Sequence, residues 1–210
     1  HMDIAASIQN VLEEIVLRIV RSLFKEYKIP YLCLAGGVAL NCVINGKILK
    51  LNLFNNIWIQ PASGDAGGAI GAALGFWYKE LKKPRKINHK DSMKGSYLGH
   101  CYPTKKVKKE LEKCGAIYEE YSFEEIINKT TNTLIEEKSV GWFQGRMEFG
   151  PRALGARSII ADPRSINMQR DLNLKVKYRE SFRPFAPSIL LEELENWFDQ
   201  SLESPYMLLV

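Results

Sequence analysis

Tyr31-Leu-Cys-Leu-Ala-Gly-Gly-Val-Ala-Leu-Asn41 is the stretch that decides the fold. Its first five residues are short and apolar throughout, so Tyr31–Ala35 reads as a buried strand. Gly36 and Gly37 follow at once, and Val38 to Leu49 returns to helical spacing. A strand that passes through two glycines into a helix start lets backbone N–H groups come close to a ligand, and the helix dipole there favours an anion. The same turn also serves simply to pack a helix on a sheet, so the glycines alone leave both readings open.

The pattern then recurs. Asn56–Gln60 reads as a strand, Pro61–Gly64 as a turn, and Asp65–Leu81 as a helix made slim at its start by glycine and alanine. Two such units predict α/β layering, with both turns at one sheet edge if the strands run parallel. Asp65 is the one charged residue in the second turn: it fits an N-cap, or a carboxylate facing a metal. Ahead of these units, Ile8, Val11, Leu12, Ile15, Val16, Ile19 and Leu23 recur at three- and four-residue steps, predicting an amphipathic helix from Asp3 to Tyr27 with Asp3 as its cap.

The formal net charge of +5 is unevenly placed: Lys79 to Glu110 holds eleven Lys or Arg against three acids, a local +8, leaving about −3 for the rest. This segment lacks interleaved base-stacking aromatics and reads as solvated, with residues 82–95 as a basic linker and His89 in water. Cys33, Cys42, Cys101 and Cys114 show no CxxC spacing and read as reduced thiols, which with the charged residues Glu13, Glu14, Arg18 and Arg21 in the first helix favours a cytoplasmic protein without a membrane span. Beyond the linker the pattern predicts helices at Pro103–Cys114, Phe123 to about Glu137, Arg164–Leu174 and Glu192–Phe198. Strands are expected at Ala116–Glu120, Ser139–Phe143, Ser158–Ala161 and Phe185–Leu190, and Ser122 with Glu125 forms a capping box.

Seven of the ten arginines lie between Gln144 and Arg183, five of them in Gly141-Trp-Phe-Gln-Gly-Arg-Met-Glu-Phe-Gly-Pro-Arg-Ala-Leu-Gly-Ala-Arg-Ser158 and Val176-Lys-Tyr-Arg-Glu-Ser-Phe-Arg-Pro-Phe-Ala-Pro187. An arginine presents a planar fork of donors that stays charged, so this cluster in a glycine-rich turn suits capture of phosphate or carboxylate. A solvated basic surface is the bland alternative.

These two motifs, with Ala35-Gly-Gly-Val-Ala-Leu-Asn41 and Pro61-Ala-Ser-Gly-Asp-Ala-Gly67, resemble the signatures of the O-carbamoyltransferases of antibiotic biosynthesis and nodulation-factor modification. The resemblance runs over almost all of the chain from Asp3. It implies the C-terminal part of an ASKHA-like (actin/Hsp70-type) carbamoyl-transfer domain at 3–81, the linker at 82–95, and at 96–210 part of an α/β domain like the adenylate-forming partner of tRNA threonylcarbamoylation. It implies an enzyme that takes carbamoyl phosphate and ATP to carbamoyl adenylate and passes the carbamoyl group to an acceptor hydroxyl, with a divalent metal, iron or magnesium or manganese. Carried over, Gly36, Gly37, Asn41 and Gly64 match nucleotide-contacting positions and Asp65 a metal ligand. Lys177 and Arg179 match an anion-holding Lys-x-Arg pair, and Arg146, Arg152, Arg157 and Arg183 are further candidates for phosphate and carbamate oxygens. Glu148 is expected, ionised, to orient an arginine rather than to act as a base.

Two departures accompany the resemblance. The family's metal site also draws on histidines, and His1, His89 and His100 stand in no suitable context; the family's second lobe continues past Ser204-Pro-Tyr-Met207 to further anion-binding residues. The chain thus reads as a central fragment lacking both ends, inactive by itself. The competing readings are a tRNA threonylcarbamoyl-adenosine-type fragment and a stand-alone nucleotide- or nucleic-acid-binding module; oligomerisation stays open.

Overall fold

The computed structural model describes residues 1–87, 90–199 and 202–210, so His89 and its expected solvation lie outside the described residues. The fold is mixed α/β, mostly helical with two small sheets. The chain divides into two compact units, one of His1–Ser96, Phe149–Arg152 and Ser204–Val210, the other of Tyr97–Glu148 and Ala153–Glu203.

The first unit opens with α1 (Met2–Tyr27), ended by Lys28 in the left-handed region with its amide on the Phe24 carbonyl. His1, not Asp3, is the N-cap residue; Asp3 falls in the first turn, where its carbonyl accepts from Ser7 Oγ. The apolar residues of α1 also divide differently from the single stripe that their spacing predicts. Leu12, Val16 and Leu17 pack around a core of Val20, Ile44 and Ile48, whereas Ile8, Val11, Ile15 and Ile19 are exposed on a second face.

Strand β1 (Tyr31–Leu34) pairs with β2 (Asn56–Ile59) in parallel, Tyr31 opposite Asn56 and Leu34 opposite Ile59. The continuous helix expected from Val38 to Leu49 is broken. A 3-10 turn at Gly37–Leu40 gives way to α2 (Cys42–Lys50) at Asn41, whose backbone is extended and whose side chain caps α2 by accepting from the Ile44 amide. After β2, α3 (Asp65–Gly75) passes into a π-helical turn at Phe76–Glu80, close to the predicted span. Asp65 is the first helical residue, and Gly64 takes the N-cap position without a side-chain bond, so Asp65 does not cap α3.

The second core of this unit joins Ala39, Ile59 and Leu208, bringing the last residues of the chain onto the sheet. Asn45, which is 1% exposed, donates through Nδ2 to both the Ala39 and Leu208 carbonyls, at 2.8 and 2.9 Å. Leu208 belongs to no strand.

In the second unit, α4 (Thr104–Lys113) and α5 (Phe123–Ile135) form where the periodicity places them, and Ser122 and Glu125 make the reciprocal capping box. Strands β3 (Val140–Phe143) and β4 (Arg157–Ile160) pair antiparallel. The strands expected at Ala116–Glu120 and Phe185–Leu190 do not form; both stretches lack ladder partners, and Ile117 is fully exposed. The helix expected at Arg164–Leu174 is confined to α6 (Met168–Asp171) and a π-helical turn at Leu172–Val176, and the last helical stretch to a 3-10 turn at Leu191–Glu193 and α7 (Leu194–Trp197). All four cysteines are free, and no helix among the described residues is long and apolar enough to cross a membrane.

Candidate functional site

In the first unit the parallel pairing brings the two glycine turns to one sheet edge. Gln60 N–H extends the ladder to the Leu34 carbonyl at 3.0 Å, and beyond it the Gly36 amide donates to the Ser63 carbonyl at 2.8 Å. Gly36 has φ +95, which a side chain resists, and this bends the chain straight from β1 into the 3-10 turn. Gly64 and Asp65 open α3 immediately after Ser63, so the amides that begin this helix lie beside the Gly36–Gly37 turn. Asn41 serves the scaffold around these turns. Besides capping α2, its amide exchanges hydrogen bonds with Gln9, 2.8 Å from Asn41 Nδ2 to Gln9 Oε1. Gln9 in turn bonds Glu13, whose carboxyl is held below its ordinary range first by the Lys47 ammonium and then by Gln9.

The Phe149–Arg152 segment belongs to this unit as well. Gly150 (φ +127) passes so close to the second turn that a Cβ there would meet the Ala62 Cβ at 3.3 Å and the Pro61 carbonyl at 3.4 Å. Arg152 then donates from Nη2 to the Leu40 carbonyl at 2.9 Å. The sequence groups Arg152 with Lys177 and Arg179, yet the fold carries it on the glycine-turn unit.

Arg146, Glu148 and Arg157 gather around the β3–β4 hairpin of the second unit. Glu148 is buried, and its Oε1 accepts from the amides of Leu154 and Ala156 at 2.8 and 2.7 Å, with Arg157 N–H at 3.3 Å. Burial pushes its carboxyl up, but these amides outweigh burial and leave it below the ordinary range. Glu148 is therefore ionised as expected, but its partners are backbone amides rather than an arginine side chain, and it shapes the loop. Arg157 stacks on Phe143, 3.3 Å from the ring centroid, and donates to the Gln144, Gly145 and Ala156 carbonyls, while Arg146 reaches the Gly99 carbonyl at 3.0 Å.

Lys177, Arg179 and Arg183 lie in a second knot of the same unit, organised by a residue that the sequence motifs do not single out. Asn173 is fully buried, donates from Nδ2 to the Ser181 and Arg183 carbonyls at 3.1 and 2.8 Å, and accepts from Arg179 Nε at 2.6 Å. Its one sequence signal is a lone amide between Leu172 and Leu174. Arg179 also lies over Phe185, Arg183 pairs with Glu180 at 2.8 Å, and Lys177 is exposed. Tyr178, between the two expected anion-holding residues, takes φ +50. Among the described residues no hydrogen bond or ion pair joins Arg146 or Arg157 to Lys177, Arg179 or Arg183.

The described residues contain no group of three or more His, Cys, Asp or Glu placed to hold a metal ion. Asp65 offers a single exposed carboxylate, which does not make a coordination set. What these residues offer chemically is anion binding, through amides at one sheet edge and guanidinium groups held by backbone carbonyls.

Residues 1–74 match the family profile described as Carbamoyltransferase N-terminus, and residues 131–210 that described as Carbamoyltransferase C-terminus. The chain belongs to the carbamoyltransferase family. Among curated relatives, it is 54% identical over 211 residues to the uncharacterized protein sll1178 of Synechocystis, covering 100% of this chain and 34% of that protein. It is 42% identical to the nodulation protein NolO of Bradyrhizobium diazoefficiens, covering 99% of this chain and 38% of the relative, and 40% identical to the nodulation protein NolNO of Sinorhizobium fredii, covering 99% and 30%. The chain thus spans about a third of the length of these relatives.

Proposed function

We propose that this chain is part of an ATP-dependent O-carbamoyltransferase that forms carbamoyl adenylate from carbamoyl phosphate and ATP and transfers the carbamoyl group to an acceptor hydroxyl. The observation that carries the reading is the Gly36–Ser63 bond, which sets two glycine turns side by side at the end of a parallel strand pair within a family of carbamoyltransferases. In this reading the first unit is the C-terminal part of an ASKHA-like transfer domain, and the second is part of the adenylate-forming domain. Carbamoyl phosphate first loses its phosphate to water, which leaves carbamate and inorganic phosphate; a carbamate oxygen then bonds to the α-phosphorus of ATP as the α–β anhydride bond breaks and pyrophosphate leaves. Transfer forms a bond from the acceptor oxygen to the carbamoyl carbon and releases AMP, with the hydroxyl proton passing to a base.

Both steps move negative charge onto phosphate oxygens, so fixed cations and amides are the groups that assist them. Lys177 and Arg179 are assigned to the carbamoyl phosphate and ATP anions, with Arg146, Arg157 and Arg183 as neighbouring cations. Gly37, Gly64 and the start of α3 are assigned to the nucleotide in the transfer step. Asp65 would be one ligand of a metal whose other donors lie outside the described residues.

The test is carbamoyl phosphate-dependent exchange of labelled pyrophosphate into ATP, measured on the longest natural polypeptide that contains this sequence. Exchange should appear, and Lys177→Ala and Arg179→Ala should each abolish most of it. No exchange in the wild type sinks the reading.

A further inference from the structure

We propose that Arg152 and Ser63 belong to an anion-binding site at the glycine turns of the first unit, where they take the phosphate end of a nucleotide. The inference rests on reading those turns as a nucleotide site, and it adds an arginine that the motif pattern assigns to the other unit.

Three observations converge. The Ser63 hydroxyl has no hydrogen-bond partner although the residue is only 5% exposed, and the backbone carbonyl of the same residue takes the Gly36 amide that joins the two turns. Arg152 Nε is likewise buried and unpartnered, while Nη2 of the same guanidinium is fixed on the Leu40 carbonyl at the end of the first turn. Gly150, whose missing Cβ allows contact with Ala62 and Pro61, brings the Phe149–Arg152 segment against the second turn.

A buried donor without an acceptor is costly, so two on segments that the Gly36–Ser63, Gly150–Ala62 and Arg152–Leu40 contacts tie to the same pair of turns point to a ligand that supplies acceptors. Phosphate oxygens are the chemistry that fits: they accept from a hydroxyl, from a guanidinium and from the amides that open α3 together. A positive charge is also needed there, because the exposed carboxylate of Asp65 at the same helix start opposes an anion. Arg152 supplies it.

The test is a titration of the 210-residue chain with inorganic pyrophosphate, followed by amide NMR. The Gly36, Gly37, Gly64 and Asp65 amides should shift in the wild type. Arg152→Gln should weaken that response by roughly tenfold, the scale of a lost charge-assisted bond. Arg152→Lys keeps the charge and a donor for the Leu40 carbonyl but loses the fork, and should fall between the two. Arg164→Gln, which removes an exposed guanidinium paired with Asp162, should leave the response of these amides unchanged. A wild-type response confined to residues 177–183, no response at millimolar pyrophosphate, or equal affinity in both Arg152 variants and the wild type overturns the proposal. If the turn amides respond through Arg152 but the longer polypeptide shows no pyrophosphate exchange, the carbamoyl-adenylate reading falls while this site stands.

Discussion

The Gly36 amide and the Ser63 carbonyl are joined at 2.8 Å, so the two glycine turns hold each other as well as their strands. Gly36 makes this bond at φ +95, whereas Gly37 sits in an ordinary helical conformation with nothing within 4 Å of an added Cβ. Gly36→Ala should therefore cost about 1–3 kcal/mol through backbone strain. Gly37→Ala should be neutral or stabilising by up to about 1 kcal/mol, because it removes freedom only from the unfolded chain. Denaturation midpoints of the two variants check this, and equal midpoints would show that the turn does not depend on the Gly36 conformation.

Glu148 is a loop-forming carboxylate, and its removal tests that directly. Glu148→Gln keeps the shape but replaces charged acceptors by a weaker one, so stability at neutral pH should drop by about 1.5–3 kcal/mol. Its folded pKa is depressed, so its contribution is present above the unfolded value and is lost as pH falls through the folded one. The wild type and the Gln variant should accordingly converge as pH is lowered from neutrality through and below the ordinary carboxylate range. A constant gap across that range would assign the loss to packing instead.

Tyr206 and Asp91 form a pair in the first unit. Asp91 also takes the Met93 and Gly95 amides at 2.9 and 2.8 Å, and the Tyr206 hydroxyl accepts from Gly95 N–H at 3.2 Å. Burial, then the bond to Asp91 and its charge, push the Tyr206 phenol up to about 12. Burial pushes the Asp91 carboxyl up, yet the Tyr206 hydroxyl and the two amides leave it below the ordinary range. For the phenol, a raised folded pKa means that the contribution is complete below the unfolded value near 10 and is lost as pH rises through about 12. Tyrosinate absorbance should show a late component worth one of the nine tyrosines, missing in Tyr206→Phe.

Legibility of the sequence followed the range of the interaction. The parallel pair, α3 and the Ser122–Glu125 box rest on signals within a few residues, and all three are present. Ala116–Glu120 carries the strand formers Ile117 and Tyr118, but a strand also needs a neighbour, and it has no ladder partner among the described residues. Family membership was legible in the glycine and arginine motifs, which the matched profiles bear out. The placement of Arg152 was not. Adjacency to Ala153 and Arg157 groups it with the hairpin, whereas the contacts of Gly150 with Ala62 and of Arg152 with Leu40 join residues far apart in the chain. Asn173 escaped for a related reason, since its value lies in two carbonyls eight and ten residues on.

The last residues of the chain are held by a contact that two neighbouring positions share. Asn45 donates to the Leu208 carbonyl, and a Cβ on Gly46 would come within 2.0 Å of the Val210 carbonyl oxygen, a backbone atom that has to move to admit it. Asn45→Ala leaves the buried Ala39 and Leu208 carbonyls short of a donor and should cost about 2–3 kcal/mol. Gly46→Ala should displace Ser204–Val210 without touching Asn45. Each variant should raise amide exchange at Leu208 and Leu209, which Ala39 and Ile59 otherwise cover. Because both act through one segment, the double variant should lose less than the sum of the two single losses. Additive losses would mean that Asn45 stabilises chiefly through Ala39 and that Gly46 is coupled to the terminal segment alone.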